Sequence, residues 1–178
     1  MIVAKQVADF LTFTRALLIV IFAWLGVNFG ADALPLVALL MIYSWTSDSV
    51  DGTLARRSSR IYHTWIGDHD LEVDILVSLG LLLYMLLSRY LSITVASLYL
   101  AGWILLIVFY GYHKSLGMTF QAPIYGWFIW LAIRDAPPYG LAIVAWILAA
   151  LAITWPRFPR EVVPSFLEGF RDNNLKRH

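Results

Sequence analysis

The chain has 178 residues, 60% of them apolar and only 14% charged, with a mean hydropathy of +0.71. A soluble domain carries about 45–50% apolar and about 25% charged residues, so this composition leaves too little polar surface for a water-facing exterior and predicts an integral membrane protein. A net charge of +1 offers no basic footprint for a nucleic acid, and the lack of cysteine excludes disulfides, thiolate metal sites and cysteine nucleophiles.

In chain order, residues 1–11 put Ile2, Val3, Val7 and Phe10 on one helical face and Lys5, Gln6 and Asp9 on the other. That pattern suits a helix lying in the membrane interface. The first apolar run keeps Arg15 near its start and is followed by no small-residue cleavage site, so it reads as a span and not as a signal peptide. A bilayer-spanning helix needs about 20 mostly apolar residues. Such runs extend from Thr14 to Phe29, Leu34 to Trp45 with a polar helical extension, Leu71 to Ser88, Leu91 to Tyr112, Phe120 to Ile133 and Tyr139 to Trp155. The fifth is short and contains Pro123, which leaves a re-entrant segment as its alternative. In the sixth, Ala142, Ala145, Ala149 and Ala152 recur at helical spacing and predict a close-packing face. The tail, 157–178, carries a second amphipathic pattern through Val162, Val163, Phe166, Leu167 and Phe170.

Charge placement decides the count. With six spans and the N-terminus inside, Lys5, Arg15, Arg56, Arg57, Arg60, Lys114 and the five basic residues of the tail are cytoplasmic, and only Arg89 and Arg134 fall outside. Eleven of thirteen basic residues then obey the positive-inside rule, whereas dropping the fifth span would put the tail outside. The expectation is an all-α membrane protein in a single domain, 1–178. It has a six-helix transmembrane core over 12–156 flanked by N- and C-terminal interfacial amphipathic helices, with both termini cytoplasmic and a cell inner or plasma membrane as its place.

Five of the nine aspartates (Asp48, Asp51, Asp68, Asp70 and Asp74) lie in the 27 residues that join the second and third runs. Charges at membrane depth are costly and tend to face a cavity, a partner or an ion. Asp48 and Asp51, spaced i, i+3, share a helix face with Ala55. Acids are unfavourable at a helix C-terminus, so the second helix is expected to run past Asp51 to Arg56 and Arg57, cations that suit such an end. Asp68 is placed to cap the third helix, on whose first turns Asp70 and Asp74, spaced i, i+4, share a face. Helices joined by a short loop are neighbours, so the two pairs are predicted to meet at the cytoplasmic boundary. Four converging carboxylates need a counter-charge, and oxygen-only ligands suit one or two hard divalent cations, Mg²⁺ or Mn²⁺. Gly52 and Ala55 leave the helix surface bare enough for a nucleotide, and Arg56 is suited to phosphate. The loop histidines His63 and His69 flank this site.

The run Asp48-Ser-Val-Asp51-Gly52-Thr-Leu-Ala55-Arg56, followed by Asp70-Leu-Glu-Val-Asp74, resembles the signature of the CDP-alcohol phosphotransferase (CDP-alcohol phosphatidyltransferase) family. Leu11-Thr-Phe-Thr14-Arg15 is similar to the family's amino-terminal pattern, and Thr64-Trp-Ile-Gly67 to its T-x-x-G element. The spacer departs from the family, with two residues more before Thr64 and one fewer after Gly67. Leu71 and Ile75 stand where one branch has Pro and Lys, so no acceptor class is assigned.

The resemblance implies transfer of a phosphatidyl group from a CDP-activated lipid such as CDP-diacylglycerol to an alcohol acceptor, with release of CMP, in phospholipid synthesis. It implies two Mg²⁺ or Mn²⁺ ions held by Asp48, Asp51, Asp70 and Asp74. Asp74 is also the general base, and Gly52, Ala55, Arg56, Thr64 and Gly67 lie at the nucleotide. A homodimer is the family's usual state. The alternatives are a relative that binds nucleotide without turnover and a divalent-cation membrane transporter. The transporter is disfavoured by the grouping of the acids at one membrane face.

Overall fold

Apolar runs this long must satisfy their backbone internally, and helices do so within one segment. A computed structural model describes the backbone of residues 2–57, 70–111 and 114–155 and the side chains of 10–50, 71–111 and 115–155. Among the described residues there is no strand. The helices are α1 (Ile2–Asn28), α2 (Leu34–Arg57), α3 (Asp70–Leu87), α4 (Ile93–Tyr110), α5 (Lys114–Asp135) and α6 (Pro137–Thr154). Five stretches are long and apolar enough to cross a membrane: Phe10–Asn28, Gly30–Val50, Ile93–Tyr110, Ser115–Asp135 and Pro137–Thr154. The remaining helix, α3, is 18 residues long and begins with Asp70, Glu72 and Asp74 in its first two turns. The described residues are thus almost entirely helical, with several helices long and apolar enough to cross a membrane, as in an all-α membrane protein.

Two expectations meet the backbone differently. Residues 2–11 are helical but form no separate interfacial element: α1 runs unbroken from Ile2 to Asn28. No Gly or Pro stands in this stretch before Gly26, so nothing in the chain interrupts the hydrogen-bond ladder. The fifth run is longer than its apolar core, since α5 spans 22 residues with Pro123 inside it. Its polar residues bond within the helix: the Thr119 hydroxyl donates to the Ser115 carbonyl (2.8 Å) and the Tyr125 hydroxyl to Gln121 Oε1 (3.1 Å). Tyr99 of α4 donates its hydroxyl to the Phe120 carbonyl, supplying a partner in the turn that the proline disturbs. The expected C-terminal amphipathic helix, 157–178, lies outside the described residues.

Chain packing separates two compact units, residues 1–91 and 92–178. In the first, α1 packs along both α2 and α3. Its buried stripe is Thr12, Arg15, Leu18, Phe22 and Leu25, the i, i+3/i+4 rhythm of one helix face. The α2 stripe (Leu34, Val37, Ala38, Met41, Ser44, Ser47) and the α3 stripe (Val77, Ser78, Leu81, Tyr84, Met85) follow the same rhythm. A 3₁₀ turn, Gly30–Ala33, joins α1 to α2, with Gly30 at φ 55°, and Pro35 is tolerated because it falls in the first turn of α2. Tyr84, fully buried, donates its hydroxyl to the Gly30 carbonyl at 3.1 Å and so ties α3 to this turn. Replacing Tyr84 by Phe keeps the ring and removes that bond. A loss of about 1 kcal/mol is expected in thermal unfolding in detergent.

In the second unit α5 and α6 meet at a tight corner. The Tyr139 and Gly140 amides donate to the Ala136 carbonyl at 3.0 Å, and a Cβ on Gly140 would collide with the backbone of Ala132 and Ile133. The contact is confined to the first turns of α6, where Gly140 and Ile143 are buried. Ala142, Ala145, Ala149 and Ala152 are exposed within the single chain. At the end of α5, Trp127 and Trp130 stack 4.8 Å apart, and the Arg134 guanidinium lies 4.7 Å over Trp130 while bonding Asp135 in a two-pronged pair at 2.6 Å. Such a group suits a membrane–water interface, where apolar faces and charges are both accommodated.

Candidate functional site

The site is built from three helices at the end of the first unit where α1 carries Arg15. On α1 this residue occupies the packing stripe, between Thr12 and Leu18, and its side chain is wholly buried. An ionised guanidinium in such surroundings requires acceptors, and it finds them on the two flanking helices. Nη1 donates to Asp48 Oδ1 of α2 at 2.9 Å, and Nη2 to Asp74 Oδ1 of α3 at 2.6 Å. These are charge-assisted contacts, in which one planar fork fixes the spacing of two carboxylates from different helices. The Asp48 and Asp74 side chains remain 43% and 30% exposed. The guanidinium thus lies on the inner side and the carboxylates present their outer edges to the surroundings.

Small hydroxyl residues stand within one turn of Arg15, Asp48 and Asp74 on the same helices. Ser44 and Ser47 on α2 and Ser78 on α3 are buried, as is Thr12. The Ser78 hydroxyl donates to the Ile75 carbonyl at 2.8 Å. Thr14 donates its single hydroxyl proton to the Leu11 carbonyl (2.8 Å), so in its 2.7 Å contact with Tyr43 the tyrosine is the donor. That bond adds a second polar tie between α1 and α2 near the fork.

Of the four carboxylates singled out as metal ligands, Asp48 and Asp74 come together through a shared cation. Asp51 and Asp70 stand on helical backbone, one turn beyond Asp48 on α2 and one turn before Asp74 on α3. Their side chains lie outside the described residues, as do those of Gly52, Ala55 and Arg56 on the last turns of α2. Thr64, Gly67, Asp68, His63 and His69 lie wholly outside them. The run of α2 to Arg57 agrees with the helix extension expected from its acids.

Among the described residues no three acidic or imidazole side chains gather as a metal-binding group, and only two of the four aspartates are among those searched. The donor set nevertheless suits a hard divalent cation. Its described donors are oxygens: the Asp48 and Asp74 carboxylates and, one residue before Asp48 in the chain, the buried Ser47 Oγ, which has no hydrogen-bond partner.

Arg15 is the site residue that motif reading did not assign. Its charge fits the positive-inside pattern, and its position fits the L-T-x-x-R resemblance. The signal was in the periodicity, since Thr12, Arg15, Leu18 and Phe22 fall on one face. An arginine on the packing stripe of a membrane helix calls for an acidic partner on a neighbour. No protein-family model, curated protein or solved structure matches this chain.

Proposed function

We propose that the chain is a CDP-alcohol phosphotransferase, transferring the phosphatidyl group of a CDP-activated lipid such as CDP-diacylglycerol to an alcohol and releasing CMP. The observation that carries this reading is the convergence of Asp48 and Asp74, one from each half of the motif and 26 positions apart, on the guanidinium of Arg15. In the proposed topology α3 is the third of six spans, both termini face the cytoplasm, the protein sits in an inner or plasma membrane, and two copies pair. A donor with a buried acyl portion and a charged diphosphate would be met at the boundary between apolar helix and polar extension, where Asp48 and Asp74 stand.

In the proposed reaction Asp74 accepts the proton of the acceptor hydroxyl. The oxygen of that hydroxyl forms a bond to the phosphorus carrying the diacylglycerol, and the bond from that phosphorus to CMP breaks, so CMP leaves with the bridging oxygen. Asp48, Asp51, Asp70 and Asp74 would hold the Mg²⁺ or Mn²⁺ ions. When bound, these ions supply positive charge to the diphosphate and to the leaving group. Gly52, Ala55 and Arg56 would receive the nucleotide, with Thr64 and Gly67 in the loop above it. Arg15 holds Asp74 opposite Asp48.

The test is incubation of the purified protein with CDP-diacylglycerol, Mg²⁺ or Mn²⁺ and a panel of soluble and lipid alcohols, followed by CMP release and the mass of the lipid product. CMP release that depends on both an alcohol and the cation is expected, and the product mass identifies the acceptor. Release with no member of the panel overturns the reading.

A further inference from the structure

We propose that Arg15 is the resident counter-ion of the Asp48–Asp74 pair and competes with a divalent cation for its negative charge, so that this buried arginine sets how tightly the site takes the cation. The inference rests on the metal dependence put forward above and adds a residue outside the acidic signature to it.

Three observations lead there. First, the guanidinium is fully buried on the packing stripe of α1, and it is held by carboxylates from both neighbouring helices at 2.9 and 2.6 Å. Asp48 and Asp74 are therefore held at a fixed spacing by the guanidinium between them. Second, the order of burial is graded, from 0% for Arg15 to 30% and 43% for the two carboxylates. A cation arriving from the surroundings meets the outer edges of the carboxylates, with the guanidinium behind them. The two cations then share the same two anions from opposite sides, and competition is electrostatic without steric exclusion. Third, a divalent ion that reaches these two carboxylates is repelled by the guanidinium at close range.

The experiment uses the full chain in detergent, with Mn²⁺ as the probe. Mn²⁺ affinity is read by electron paramagnetic resonance of the free ion, and the shift in melting temperature on adding Mn²⁺ is read in parallel. Arg15→Gln is expected to bind Mn²⁺ about tenfold or more tightly than wild type and to gain more thermal stability from it, because the guanidinium charge no longer opposes the ion. Arg15→Lys keeps the charge and should stay near wild type. A folded Arg15→Gln protein with wild-type or weaker affinity overturns the proposal while leaving the metal reading intact. Absence of Mn²⁺ binding in wild type and variants overturns both. Should Arg15→Gln fail to fold, the triple variant Arg15→Gln/Asp48→Asn/Asp74→Asn decides: its recovery supports a counter-ion role, and its equal failure makes Arg15 a packing residue and sinks the proposal.

Discussion

Asp74→Asn is expected to reduce CMP release about 10²- to 10⁴-fold, the range over which a positioned general base contributes, while the protein remains folded. The substitution preserves the shape of the side chain and leaves an oxygen that still accepts from Arg15 Nη2, now 2.6 Å from Asp74 Oδ1. It removes the negative charge and with it the capacity to take a proton from an alcohol. Stability should fall by about 1–2 kcal/mol, since a hydrogen bond to a charged group contributes about 1.5–3 kcal/mol and Asp74 is 30% exposed, which weakens the pair by solvent screening. Arg15 retains Asp48 as a charged partner. Asp74→Ala provides the contrast: it strips the acceptor from a buried guanidinium nitrogen and should cost about 1–3 kcal/mol more than Asn. Activity measured per folded protein, with a thermal melt of each variant, separates these effects. Turnover of Asp74→Asn within about tenfold of wild type would exclude Asp74 as the base. Equal melting temperatures for wild type and Asp74→Ala would exclude the Arg15–Asp74 pair as a structural tie.

The same residues show what the sequence made legible. The polar end of α2 was readable because acids are unfavourable at a helix C-terminus, and Asp48 and Asp51 therefore imply a helix that continues to Arg57. The meeting of Asp48 and Asp74 was readable from a short connection between their helices. Arg15 was harder, because a single cation at the start of a span satisfies the positive-inside rule whether it faces solvent or a partner. Only its register on the buried stripe separates the two cases, and the aspartates it reaches lie 33 and 59 residues away. Hydropathy likewise underestimated α5, since Ser115, Thr119, Gln121 and Tyr125 count as polar in a sum although the helix pairs them internally. Close helix approach is the third property hidden from such sums. A glycine in an apolar run reads as a weak helix former until its neighbour is known.

Gly80 is where that neighbour matters most. A Cβ built on it would lie 2.7 Å from Ile19 Cα and 3.2 Å from the Ile19 Cβ, so α3 touches the backbone of α1 at this point. Seven residues further along both helices, a Cβ on Gly26 would lie 2.9 Å from Leu87 Cβ. The equal steps from Ile19 to Gly26 and from Gly80 to Leu87 mean that α1 and α3 run in the same direction and stay close, with small residues at the points of nearest approach. Arg15 is one turn before Ile19, and Asp74 precedes Gly80 by six residues, so the same contact holds the guanidinium within reach of its carboxylate.

Gly80→Ala should therefore destabilise the first unit. Overpacking costs about 1–3 kcal/mol, and the gain of about 0.5–1 kcal/mol that alanine brings to a helix interior offsets only part of it. Gly102→Ala in α4 is the control, because nothing lies within 4 Å of a Cβ at that position and only the helix gain remains. The expected order of melting temperature is Gly102→Ala at or above wild type, then Gly80→Ala, then Gly80→Leu. Gly80→Leu should also lose activity beyond its loss of folded protein, since moving α3 away from α1 draws Asp74 from Arg15. A Gly80→Ala protein as stable as Gly102→Ala would mean that the helices do not meet closely there. The spacing of the carboxylates would then have to come from the Arg15 fork alone.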